Sequence, residues 1–142
     1  MTCTFFGHRK CPKEVVLPLK STLEDLIEKQ NVDMFYVGNQ GNFDSTVRKI
    51  LRQLKPIFPH KDYAVVFAYM PCRKNTVDGA DFSDTIFPCE LENTPPKYAI
   101  YKRNMWMLNR ADYVVTYVRC ITGGAAQFKG VAEKKGKKII NL

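Results

Sequence analysis

The stretch YVVTYVRCITGGAAQFKGVAEKKGKKIINL, Tyr113 to Leu142, decides the fold. Tyr113 to Val118 are β-branched or aromatic throughout and read as a strand. Gly123 and Gly124 then turn the chain, Ala125 to Lys135 reads as a helix, and KIINL at the end reads as a further strand. A strand, a helix and a strand with short turns between them bring the chain back parallel to itself, because parallel neighbours need a crossover.

Working outward, the same alternation recurs. TCTFF, Thr2 to Phe6, is a short run of β-formers closed by Gly7. From Val15 to Gln30 the apolar positions Val15, Val16, Leu19, Leu23, Leu26 and Ile27 return every three or four residues, as on a helix with one buried face; Pro18 falls in its first turn. MFYV, Met34 to Val37, is a second strand. Asp44 reads as the N-cap of a helix whose stripe is Val47, Ile50, Leu51, Leu54 and Phe58. YAVVFAY, Tyr63 to Tyr69, is continuously apolar, as in a strand covered on both faces. A helix over about Lys97 to Arg110 precedes Tyr113.

Five strands alternating with four helices predict an α/β, Rossmann-like three-layer sandwich, with a mainly parallel five-stranded sheet and helices on both faces. The rhythm breaks over about 70–96, where four prolines and several Asp and Asn residues predict a loop or lid excursion within a single domain spanning 1–142.

A chain of 142 residues suffices for one core, and no apolar run approaches the ~20 residues of a membrane span. The N-terminus has its apolar residues before its basic ones, the reverse of a secretory signal, so a cytoplasmic location and no membrane partner are expected. Five scattered cysteines form no CxxC pair, and His8 and Cys11 have no second cluster beside them; no metal is expected. The net charge of +8 favours anionic partners.

In a sheet of this kind, ligands bind beyond the carboxyl ends of the strands. The loops leaving those ends are GHRKCP, GNQGNFD, the excursion and RCITGGAAQ. Their glycines are expected to bring backbone close to one shared ligand, which nominates Gly7, His8, Arg9, Gly38, Asn39, Gly41 and Asp44. Gly123, Gly124, Ala125 and Ala126 would offer amides at a helix N-terminus, where an anion is stabilised. Arg103 and its neighbour Asn104 complete the set; Arg103 is expected to neutralise the anion, so that its removal costs binding and not the fold.

TFFGHR (Thr4 to Arg9), VGNQGNFDSTV (Val37 to Val47), YKRNMWMLNRADYVVTYV (Tyr101 to Val118) and GGAAQF (Gly123 to Phe128) together resemble the SLOG superfamily, which includes the DprA DNA-processing proteins and the LOG phosphoribohydrolases; the likeness is closest to its small YpsA-like branch. The resemblance covers nearly the whole chain in the same order. It implies a Rossmann-like domain that binds a nucleotide or a nucleotide-derived, ADP-ribose-like ligand. In the LOG enzymes it implies an arginine, matched by Arg103, and a glutamate beyond a Gly-Gly-x-Gly-Thr turn. Here Gly123 and Gly124 match the turn's first glycines, Ala126-Gln127 replace its Gly-Thr, and Gly130 stands where the glutamate is expected.

Two other functions remain open on the sequence. One is a nucleotide N-glycosidase or phosphoribohydrolase-like enzyme, which needs a carboxylate to stabilise charge developing on the ribose; the candidates are Asp81, Asp84 and Glu133. The other is single-stranded nucleic-acid binding, suggested by the basic balance and the DprA relationship. Tyr101, Met105, Trp106 and Met107 on one helix read as core or interface, which leaves room for a homo-oligomer.

Overall fold

The computed structural model describes residues 1–69 and 83–142. Its elements are β1 (Thr2–Gly7), α1 (Val16–Glu28), β2 (Met34–Val37), α2 (Gly41–Leu54), β3 (Asp62–Val66), β4 (Thr85–Ile86), α3 (Pro96–Arg110), β5 (Tyr113–Tyr117), α4 (Gly124–Lys134) and β6 (Lys138–Asn141). The strands form one sheet in the order β4-β3-β2-β1-β5-β6. Every neighbouring pair is parallel.

β1 is central because successive strands are laid outward from it in both directions. Along β1 the side chains alternate between two cores. Cys3 and Phe5 join the apolar stripes of α1 and α2 on one face. Phe6 joins Met107 and Leu108 of α3 and Phe128 and Ala132 of α4 on the other. The central strands β1 and β5 are buried on both faces, which is why their burial does not alternate. Among the described residues no helix is long and apolar enough to cross a membrane.

The fold class is the one expected, with four corrections of detail. The sheet has six strands, because Thr85 and Ile86 of the excursion pair with Val65 and Val66; two residues carry no period, and the ladder offered by β3 makes them a strand. β3 ends at Val66, short of Tyr69. α2 begins at Gly41, so Gln40 is its N-cap and Asp44 lies inside the first turn. It ends at Leu54, with Phe58 in the turn that follows.

Candidate functional site

The chain order reverses at β1: β2 to β4 lie on one side of it, β5 and β6 on the other. The loops after β1 and β5 therefore diverge, and the crevice between them is where an open parallel sheet holds its ligands. A cleft of about 370 Å³ lies there. Its floor is Phe5, Phe6, Ile100 and Met107; its polar rim is Gly7, His8, Arg9, Gln40, Asp44, Arg103, Asn104, Gly124 and Ala125.

The glycines of the first two loops serve the protein's own packing. A Cβ on Gly7 would overlap the ring of Phe43, which is fully buried. A Cβ on Gly38 would stand 2.7 Å from an Asp44 carboxylate oxygen and 2.9 Å from Arg103 Nη1. Gly41 lies 2.7 Å, measured the same way, from the Arg9 Cα. Side chains and backbone of the protein fill the space on the Cβ side of all three, while the backbone of Gly7 still borders the cleft and Gly38 and Gly41 do not line it. Gly123 and Gly124 differ, since nothing lies within 4 Å of a Cβ at either.

Arg103 is 2% exposed, an unusual state for a charged group. Its place on α3 follows from the helical period: Ala99, Arg103 and Met107 share the buried face. Nε donates to the Asn104 side-chain oxygen at 2.8 Å. Nη1 donates to the Asn39 side-chain oxygen and the Val66 carbonyl, both at 3.1 Å. Arg103 thus ties the loop after β2 to the end of β3. Burial holds its pKa below the ordinary value, opposed by the nearby Asp44 and Tyr69. Asn39 and Asn104 reach the region as acceptors for this guanidinium, and removal of Arg103 would touch the fold as well as any ligand.

Helix α4 begins without a side-chain cap. Gly123, at φ 100° and ψ 171°, takes a conformation that side chains rarely adopt. The first hydrogen bond of the helix runs from Gln127 N–H to the Gly123 carbonyl at 3.0 Å. The N–H groups of Gly124, Ala125 and Ala126 precede it and are the orphan donors of a helix start. Gly124 and Ala125 line the cleft; Ala126 is one step behind them.

Two features of this rim were not read from the sequence. His8 Nε2 accepts the Arg119 N–H at 2.7 Å, a bond between the two diverging loops that requires Nε2 to be unprotonated. The Arg119 guanidinium lies 4.6 Å from the centre of the Tyr117 ring. Arg119 is two residues past the end of β5, in the loop that leads to α4; that position was the available signal.

Among the described residues the carboxylate lining the cleft is Asp44, whose Oδ2 accepts the Gln40 N–H at 3.0 Å. Burial pushes its pKa up, against the lowering pull of Gln40 N–H, Arg103 and Arg48. A carboxyl raised on folding costs stability in its ionised form. That cost is absent below the ordinary carboxylate value of about 3.9 and complete above the raised folded value. Asp44→Asn, which keeps an acceptor for Gln40, is therefore expected to melt above wild type at about pH 7.5, with a gain that shrinks as pH falls toward about 4. Thermal unfolding across that range checks this; a gap that does not change with pH would contradict it.

Of the carboxylates nominated from the sequence, Asp84 and Glu133 do not border the cleft. Asp84 accepts from Arg52 Nε at 3.1 Å and from the Tyr63 hydroxyl at 2.8 Å. Arg52 is in the last turn of α2 and Tyr63 near the start of β3, which puts the cluster at the opposite, amino edge of the sheet. Glu133 is exposed in the last turn of α4, nine residues and roughly 13 Å along the helix from Gly124. Asp81 lies outside the described residues. Tyr101, read as core or interface, is 47% exposed and its ring meets Phe128 at 5.5 Å.

No protein-family model matches the chain, and no curated protein matches it. Among solved structures, the fold is similar to that of DNA processing protein A from Helicobacter pylori, whose single-stranded DNA binding mode that structure addresses. The TM-score is 0.69 at 14% identity, over 100% of this chain and 65% of the other. At that identity the likeness is one of fold, and this chain spans less than two thirds of its neighbour. The neighbour is a DprA protein, so the fold expected from the motifs is the fold observed.

Proposed function

We propose that the cleft binds a nucleotide or nucleotide derivative, as in a sensing module of SLOG type and of the YpsA-like branch, with its phosphate on the first amides of α4. The observation that carries this reading is the uncapped start of α4: Gly124 opens onto free space and shares one cleft with Arg9 and His8. The helix dipole contributes roughly 0.3–1 kcal/mol to an anion there. A charge-assisted bond from the exposed Arg9 would add about 1.5–3 kcal/mol. Arg103, also on the rim, supplies positive potential while its Nε and Nη1 serve the protein. The cleft volume falls within the usual range for small-molecule sites, and an ADP-ribose-like ligand belongs to the same class.

Mononucleotides are expected to raise the melting temperature, and the matching nucleosides, lacking phosphate, are not. At about 100 times its dissociation constant a ligand adds about 2.7 kcal/mol, which a thermal-shift series over mononucleotides, dinucleotide cofactors and ADP-ribose reads directly. Equal shifts from nucleosides and nucleotides would sink the phosphate reading.

A second reading, single-stranded nucleic-acid binding, is favoured by the net charge of +8 and by the DNA-binding protein that shares the fold. N-glycoside cleavage has weaker support, because the described carboxylate at the cleft, Asp44, is committed to Gln40.

A further inference from the structure

Asn104 stands on α3 between Ile100 and Met107, on the side of the helix that borders the cleft, and its orientation there is fixed. A guanidinium carries donors and no acceptor, so the oxygen of the Asn104 carboxamide must face Arg103 Nε, which it meets at 2.8 Å. Nδ2 is thereby directed elsewhere, as a donor. Turning the carboxamide over would set its N–H groups against the Nε N–H, so Asn104 cannot offer an acceptor to the cleft without losing Arg103.

Arg103 holds a second free donor. Nη1 is engaged by Asn39 and Val66. Nη2 shares one side of the guanidinium fork with Nε and therefore stands beside the carboxamide that Nε holds. Among the described residues no acceptor meets Asn104 Nδ2 or Arg103 Nη2, although Arg103 is 2% exposed and both residues line the cleft. A buried donor left unpaired is costly, so this corner favours a ligand that brings two neighbouring acceptors.

The apolar floor decides which part of a nucleotide comes here. With the phosphate on α4, the base is the flat, apolar part, and Ile100 and Met107 flank Asn104 on that floor. A base resting on them turns its edge to the two donors. A 6-oxopurine carries two adjacent acceptors on one edge, O6 and N7, where adenine carries N7 and an amino donor.

Resting on the nucleotide reading of the cleft, we propose that it selects 6-oxopurine nucleotides, with Asn104 Nδ2 and Arg103 Nη2 reading O6 and N7. An adenine amino group placed there meets a carboxamide that cannot turn to accept it. Asn104 is the residue that sets specificity, and Arg103 holds it in place.

Calorimetric titration of inosine, guanosine and adenosine 5′-monophosphates and of 7-deazaguanosine 5′-monophosphate tests this on wild type and on Asn104→Asp. The two oxopurine nucleotides share the edge that is read, so they are expected to bind alike and at least about tenfold more tightly than adenosine monophosphate. The 7-deaza compound lacks the N7 acceptor and is expected to lose most of that gain. Asn104→Asp keeps the shape and an oxygen for Arg103 but presents an acceptor in place of Nδ2. Its preference is expected to turn toward adenosine monophosphate, whatever happens to affinity as a whole. Wild-type affinities for inosine and adenosine monophosphates within about twofold overturn the selection and leave the nucleotide cleft standing. An oxopurine preference that survives in Asn104→Asp also overturns it, as does a 7-deaza compound bound as tightly as guanosine monophosphate. If none of the nucleotides binds wild type, the nucleotide reading falls and the selection with it.

Discussion

Gly124→Asp is expected to abolish nucleotide-induced stabilisation while raising the melting temperature of the free protein. The two effects have separate causes at one position. Gly124 is the first residue of α4, its φ is negative, and a Cβ there meets nothing within 4 Å, so an aspartate side chain fits without strain. Replacing a helical glycine recovers roughly 0.5–1 kcal/mol of chain entropy, and a carboxylate at a helix start adds roughly 0.3–1 kcal/mol. For a chain of this size the sum corresponds to roughly 3–7 °C. The same carboxylate occupies the place proposed for the phosphate and repels it, so the about 2.7 kcal/mol gained by wild type under near-saturating nucleotide should vanish. Thermal-shift curves with and without ligand read both effects. A variant that nucleotides stabilise as much as wild type would remove α4 from the site.

Arg103→Ala should destabilise the protein by about 3 kcal/mol, close to 10 °C for a domain of this size. The loss has three parts: the Val66 carbonyl loses its side-chain donor, the Asn39 and Asn104 oxygens each lose one, and a large, fully buried side chain leaves a void. The expectation drawn from the sequence, that removing Arg103 costs binding alone, does not survive this geometry. Arg103→Lys keeps the charge but has a single donor atom, which cannot stand both where Nη1 meets Asn39 and Val66 and where Nε meets Asn104, and should recover only part of the loss. Chemical denaturation gives the difference. A shift below about 0.5 kcal/mol for Arg103→Ala would mean that water replaces these bonds at little cost.

The strands and helices were legible because burial in a parallel sheet leaves its mark residue by residue: β1, β2 and β5 read as short runs rich in β-formers, β3 as continuously apolar, and α1 and α2 carry single apolar stripes. β4 was not legible, since two residues have no period and become a strand only when β3 presents an unpaired edge. Asp44 illustrates the limit at helix starts. An aspartate before an apolar stripe reads as a cap, yet the helix is capped four residues earlier, at Gln40, and the carboxylate reaches back from inside the first turn.

Local pattern, set by side-chain size and spacing along the chain, determined the α/β order, the parallel sheet and the edge at which the glycine loops gather. Tertiary packing alone decided what each glycine is for: Gly7, Gly38 and Gly41 make room for Phe43, the Asp44 and Arg103 side chains, and Arg9, while Gly124 opens onto the cleft. It likewise turned Arg103 into a strut, brought Arg119 to His8, and left Asp84 and Glu133 far from the crevice. These are contacts between segments remote in sequence, and their identity follows from how volumes fill the space between sheet and helices, a quantity that no local period contains.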